Sequence, residues 1–159
     1  MSLAQTALIE LNSAHEYFTR STRNLDESMS TFAPATGMMT AAQQVAHAAH
    51  TIDWFVEGAF RPEGFDTNWE AHAKVVNACT SLTAARAWFE KAIAGAKATV
   101  TTKSDAELMT PLPKDGIMGG APRMAIFGAI TDHTAHHRGA LTVYARLKGI
   151  VPPMPYMDM

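Results

Sequence analysis

Three of the seven histidines in the sequence fall within five residues, at His133, His136 and His137. His133 and His137 are four residues apart, so on a helix they project from one face, one turn above the other. Two imidazoles in this relation can bind a single metal ion if another part of the chain supplies a third ligand. The spacing therefore predicts two-thirds of a metal site on one helix.

The helix that carries this pair must turn both imidazoles toward the protein interior. On an ideal helix, both histidines lie within about 60° of the direction of Ile126, in the middle of an apolar stripe. The members of this stripe are Ile126, Ile130, His133, His137, Leu141 and Tyr144. A lone histidine on such a stripe is more often a hydrogen-bonded core residue than a ligand. Two on one stripe, one turn apart, leave a metal site and a hydrogen-bonded core role equally open until a third ligand is considered. His136 points to the flank, and Asp132 lies largely on the far side.

A second helix offers candidates for the third ligand. Thr40 and Gln43 have the spacing of a capping box, which predicts a helix that begins after Thr40 and continues to about Ala59. One face of this helix is aliphatic. The opposite face carries Gln43, His47, His50, Thr51 and Trp54. Either His47 or His50 is a candidate for the third ligand. In the alternative arrangement, the aliphatic face points to the core and His47 lies at the rim of the bundle. Periodicity alone does not choose between these arrangements.

Helical periodicity recurs along the rest of the chain. The predicted helices span residues 3 to about 31, Thr40 to about Ala59, Thr80 to about Thr99 and Arg123 to about Lys148. Gly149 is the expected terminator of the last helix. We expect a short helix within the connection 61–79 and at most one helical turn, near Asp105, within 101–122. The sequence thus predicts an all-α four-helix bundle with long crossover connections, forming one domain over residues 1–159.

Composition restricts the class of protein. Hydrophobic residues make up 47% and charged residues 18% of the 159 residues, as in a globular domain with a substantial core. The formal net charge is -2 and no basic run is present, so we expect no nucleic-acid partner. The sequence shows no signal-peptide pattern and no membrane span, and its single cysteine forms no intrachain disulfide. We therefore expect a cytoplasmic protein without a membrane partner.

Residue types exclude several metal chemistries. Position 134 is Thr, whereas the His-Glu-x-x-His motif of zinc peptidases requires Glu there as general base. The sequence has no paired Glu-x-x-His motifs for a di-iron centre and no Cys-x-x-Cys-His for covalent haem. His15 and His72 stand alone, and we expect ordinary surface or hydrogen-bonding roles for them. Cys79 is expected to be a small buried residue.

The two histidine-bearing helices resemble those of the DinB/YfiT-like family. The resemblance rests on Ala46-His47-Ala48 within Thr40 to Trp54, on Asp132-His133-Thr134-Ala135-His136-His137-Arg138-Gly139, and on the ending Leu147-Lys148-Gly149-Ile150-Val151-Pro152-Pro153. It covers nearly the whole chain by helix order, although Ala140 stands where the family often has Gln. It implies a four-helix bundle, usually dimeric, in which three histidines bind one divalent metal. Carried onto this sequence, the ligands are His47, His133 and His137, so the resemblance selects His47 over His50.

The resemblance also implies a chemistry, because family members use low-molecular-weight thiols as cosubstrates. Three neutral imidazoles leave a coordination position open, as in catalytic sites, and nitrogen ligands suit zinc or nickel. The leading hypothesis is a homodimeric, metal-dependent thiol S-transferase that joins a small-molecule thiol to an electrophile. The electrophile would enter beside Trp54 and Tyr144, and His50 would orient a substrate or relay a proton.

Two alternatives stay open at this stage. In a hydrolase, the same metal would activate water in place of a thiol. In a non-catalytic helical dimer, the metal would serve stability or sensing, and the ten methionines would fill irregular packing surfaces. Thiol-dependent turnover separates the first hypothesis from both alternatives.

Overall fold

Six α-helices are present in residues 1–157, the part of the chain described by this computed structural model. The helices are α1 (Leu3–Thr22), α2 (Ala41–Phe60), α3 (Trp69–Asn77), α4 (Leu82–Thr101), α5 (Asp105–Met109) and α6 (Ala125–Leu147). Strand-like pairing within the same residues is confined to one isolated bridge between Pro111 and Pro122. The all-α prediction is confirmed, and no helix in the described range is long and apolar enough to cross a membrane.

The four long helices form the bundle. α2 packs against α4 and α6, and α1 packs against the same two helices, so α1 and α2 occupy opposite corners. Between α1 and α4, Phe18 stacks on Phe89 with ring centroids 4.3 Å apart. Both rings are almost completely buried, which makes this pair a large apolar contribution to the core. The connections from α1 to α2 and from α4 to α6 therefore cross the bundle, whereas the connection over residues 61–79 joins the neighbouring helices α2 and α4.

The ends of the histidine-bearing helices follow the predicted signals. The Thr40 hydroxyl accepts a hydrogen bond from the backbone N–H of Gln43, and the Gln43 side chain accepts one from the backbone N–H of Thr40. This is the capping box, and it fixes the start of α2. At the other end of the site, Gly149 has a φ of 74°, which ends α6 in the left-handed conformation that glycine adopts without strain.

The first helix is shorter than its apolar periodicity predicts, because it ends at Thr22 rather than near residue 31. Residues after it serve the start of α4 instead. Ser30 Oγ accepts a hydrogen bond of 2.8 Å from the backbone N–H of Leu82, and Glu27 accepts one of 2.9 Å from that of Thr83. Hydrogen bonds from Thr83, led by its hydroxyl, lower the pKa of Glu27 to about 2. Capping a distant helix thus outweighs extending the local one.

Candidate functional site

His47 of α2 meets His133 and His137 of α6 where these two helices pack against each other. Each ring offers one nitrogen, and the three nitrogens all lie within 4.8 Å of one another. The two Nε2 atoms of His133 and His137 are 3.2 Å apart. The His47 ring stands edge-on to both, with centroids 5.1 Å from His133 and 4.9 Å from His137. The structure therefore brings together the three residues that the family resemblance selects, and we call them the histidine triad.

The protein interior keeps the triad uncharged. Burial, followed by the nearby His133 and His47, lowers the pKa of His137 to about 3. Burial, followed by His47 and His136, lowers the pKa of His133 to about 4. Burial also lowers the pKa of His47. At neutral pH the three imidazoles are therefore in the deprotonated form that a metal ligand must have.

A buried polar chain orients His137 within the triad. Its Nδ1 lies 2.5 Å from Oε1 of Gln44, and because an amide oxygen only accepts, Nδ1 carries the proton and Nε2 keeps its lone pair. Gln44 Nε2 donates to the Tyr144 hydroxyl at 3.2 Å, which in turn donates to the Met39 carbonyl at 2.9 Å. Such outer partners fix the tautomer and orientation of metal-binding histidines.

The two α6 histidines of the triad have the spacing of two ligands of one divalent metal ion. Nitrogen ligands at the usual zinc distance stand about 3.3 Å apart in a tetrahedron, close to the 3.2 Å between the α6 imidazoles. His133 is less constrained than its neighbour, because its buried Nδ1 has no hydrogen-bond partner among the described residues. Three neutral nitrogen donors with one fixed tautomer fit such an ion, and they leave the cavity side of the site open.

A cavity of about 580 Å³ opens beside the triad. His47 and His133 line it, and much of the remaining wall is apolar. The apolar wall residues are Met38, Met39, Trp54, Phe55, Trp69, Ala73 and Val76. No charged side chain among residues 1–157 lines this cavity. The polar and aromatic face predicted for α2 is confirmed, because all five of its members contribute to the wall.

Tyr144 does not occupy the predicted position beside a substrate. Its side chain is only 2% exposed, and it is not one of the described residues that line the cavity. Its hydroxyl is occupied by Gln44 and Met39, and its ring meets Phe32 edge-on at 5.9 Å. The interpretation of Tyr144 as a substrate contact is therefore wrong, because the apolar stripe of α6 buries it behind the triad.

His50 and His72 lie on the cavity wall as a hydrogen-bonded pair. Nε2 of His50 is 3.1 Å from Nδ1 of His72 in the short helix α3. His136 and Asp132 are exposed, although the His136 ring touches His137 edge-on at 4.9 Å. His15 contacts Glu90 on the surface at 2.8 Å, an ordinary role as expected.

Sequence reasoning missed Gln44 and the pairing of His72. Gln44 precedes His47 by three residues, so a polar side chain one helical turn from a candidate ligand was the available signal. His72 gave no signal of this kind, because its partner lies 22 residues away on another helix. Only the docking of α3 against α2 brings the two rings together.

The fold is shared with two solved structures. A protein from Streptococcus pneumoniae superposes with a TM-score of 0.72 at 14% identity, covering 95% of this chain and 92% of that one. A DinB-like protein from Bacillus cereus superposes with a TM-score of 0.65 at 21% identity, covering 95% and 93%. No curated protein matches the sequence. The model of the DinB family matches residues 1–159, and the chain therefore belongs to the DinB family.

Proposed function

We propose that this protein is a metal-dependent thiol S-transferase that uses one zinc or nickel ion held by His47, His133 and His137. The observation that carries the proposal is the convergence of three neutral imidazole nitrogens beside a cavity of about 580 Å³. A divalent metal bound there supplies Lewis acidity, which lowers the pKa of a thiol and favours the thiolate at neutral pH. The thiol cosubstrate itself comes from the chemistry that the family resemblance implies.

The cavity wall indicates the kind of electrophile. Trp54, Phe55 and Trp69 present apolar and aromatic surface, and the charged side chains of the described residues lie outside the lining. An uncharged, largely apolar electrophile would bury its surface against this wall without leaving a charge unpaired. A thiol that carries several charges would find no counter-ion there. We therefore expect neutral thiols to be better cosubstrates than thiols with carboxylates.

Different residues of the protein have separate roles in the proposed reaction. Gln44, itself positioned by Tyr144, holds the His137 ring in one tautomer. The aromatic wall orients the electrophile and excludes water from it. Exclusion of water would also favour sulfur transfer over hydrolysis, because it keeps the competing nucleophile away from the electrophile.

The experiment is a turnover assay on protein loaded with zinc or nickel. Mercaptoethanol and glutathione serve as the neutral and the charged thiol, and a chlorodinitrobenzene serves as the chromogenic apolar electrophile. We expect turnover that requires both metal and thiol, with mercaptoethanol favoured. His133→Ala should abolish it, whereas His136→Ala, an exposed neighbour on the same helix, should retain it.

The outcomes separate the competing functions. Equal turnover of an activated ester with and without thiol would contradict the proposal and favour the hydrolase. A metal-dependent rise in melting temperature without turnover of any electrophile would favour the non-catalytic dimer. Sedimentation of the loaded protein tests the homodimer that the resemblance implies.

A further inference from the structure

The His50–His72 pair stands between two cavities of opposite character. Both residues line the large cavity beside the triad and also a second cavity of about 200 Å³. The second cavity carries charged side chains on its wall: Asp53, Glu57, Arg61 and Asp66. Glu57 and Asp66 are exposed, so this second cavity communicates with solvent. The pair thus lies between an apolar cavity and a charged one.

Hydrogen-bond directions fix the protons on both rings. Nε2 of His72 lies 3.2 Å from the backbone carbonyl of Asp66, and because a carbonyl only accepts, this nitrogen carries a proton. In neutral His72 the other nitrogen, Nδ1, is then an acceptor. Nε2–H of His50 must therefore donate across the 3.1 Å contact. Nδ1 of neutral His50 then carries the lone pair, on a ring that borders the large cavity.

The charges around the pair favour a positive charge on His72. The Asp66 carboxylate lies 3.8 Å from Nε2 of His72. On α2, Asp53 accepts a hydrogen bond of 2.8 Å from the Trp88 indole of α4, and the Trp88 ring meets His50 edge-on at 5.8 Å. Burial, followed by the nearby His72, lowers the pKa of His50, whereas the Asp53 carboxylate raises it. His47 is one turn away on α2 and adds no negative charge.

We propose that His50 and His72 form a proton relay that carries the proton of the thiol nucleophile from the apolar large cavity to the charged second cavity. This inference rests on the proposed function. The thiol S–H bond breaks as its proton binds Nδ1 of His50, and the electron pair stays on sulfur as the thiolate. The Nε2 proton of His50 passes at the same time to Nδ1 of His72. One proton enters and one leaves His50, so the positive charge ends on His72 beside Asp66.

The direct test is nitrogen NMR of the imidazoles in metal-free protein over a pH series. At alkaline pH, both rings should carry their proton on Nε2. As the pH falls, His72 should become doubly protonated while His50 changes its tautomer from Nε2–H to Nδ1–H. A proton on Nδ1 of His50 at alkaline pH, or an imidazolium on His50 beside a neutral His72, would overturn the relay.

A kinetic test uses His72→Gln, whose amide oxygen still accepts from His50 but takes no proton. We expect kcat to fall on the order of a hundredfold and the acidic limb of its pH profile to flatten, with metal content unchanged. His15→Gln, at the surface contact with Glu90, is the matched control and should keep the parent profile. An unchanged rate and profile in His72→Gln would overturn the relay while leaving the S-transferase intact. If no thiol is turned over, the proposed function fails, and the NMR series still shows whether a proton passes from His50 to His72.

Discussion

The two groups of histidines differ in the elements that hold them. The triad joins two long helices of the bundle core, and its most buried member is fixed by Gln44. The His50–His72 pair joins α2 to the short helix α3 and lies against exposed acidic groups. Enclosure in the core keeps imidazoles neutral and convergent, which suits ligands. A partly exposed position beside carboxylates stabilises a transient positive charge, which suits proton transfer.

The largest expected difference between the groups is in metal affinity. His137→Ala removes a donor nitrogen from the triad, so we expect zinc affinity to fall by more than about a hundredfold, beyond the usual cost of losing an outer partner. Calorimetric titration of zinc into metal-free protein measures this. His136→Ala and His72→Gln should bind zinc as the parent does. Equal affinity in His137→Ala would place the metal elsewhere.

The hydrogen-bonded residues behind His137, Gln44 and then Tyr144, should affect zinc affinity to decreasing degrees. Gln44→Leu removes the acceptor that fixes the His137 tautomer, and we expect zinc affinity to fall about 10- to 100-fold. Tyr144→Phe leaves that acceptor in place and removes only its support. Its effect on affinity should be within about tenfold, with a loss of about 1 kcal/mol in the free energy of unfolding. A larger affinity loss in Tyr144→Phe than in Gln44→Leu would contradict this order.

Acid should destabilise the metal-free protein through the triad. The folded-state pKa values of His133 and His137, about 4 and about 3, lie below the ordinary value of 6.5. The unfolded chain therefore binds more protons between these values, and the free energy of unfolding falls as the pH drops from about 6.5 toward about 4. Melting temperature over this pH range measures the effect. The double substitution His133→Leu and His137→Leu should flatten the dependence, and an unchanged slope would argue against buried neutral imidazoles.

The smallest expected effect is confined to the pair. Asp53→Asn removes a negative charge that raises the pKa of His50, so that pKa should fall further below its ordinary value. Zinc affinity should stay unchanged. Proton NMR of the His50 ring reports the shift, with Glu57→Gln in the same cavity wall as control. A shift of equal size in the control would show that the cavity's overall charge, rather than Asp53, sets the value.

The sequence predicts the bundle because its signals are local. The capping box at Thr40, the glycine at 149 and the apolar stripes each act within one or two helical turns, and the structure retains them. α1 is the exception, because Glu27 and Ser30 accept hydrogen bonds from the first backbone N–H groups of α4. Apolar periodicity cannot predict such a distant contact. Local pattern therefore predicts helices well and their ends less well where a distant cap competes.

The site could be predicted in part for the same reason. His133 and His137 follow from spacing on one helix, whereas His47 required the family resemblance to choose it over His50. The roles of Gln44, Tyr144 and His72 depend on contacts between helices. A polar side chain on an apolar stripe, such as Tyr144, can point toward a substrate or toward a buried amide. The packing of α6 on α2 determines the direction, and it places the Tyr144 hydroxyl against the Gln44 amide.

X-ray absorption of the zinc-loaded protein tests the central claim most directly. The triad predicts a first shell with three imidazole nitrogens at about 2.0 to 2.1 Å. His136→Ala should give the same spectrum, whereas His133→Ala should lose one imidazole. A parent spectrum with one imidazole or none, or a shell dominated by carboxylate oxygens, would contradict the assignment of His47, His133 and His137 as the metal ligands.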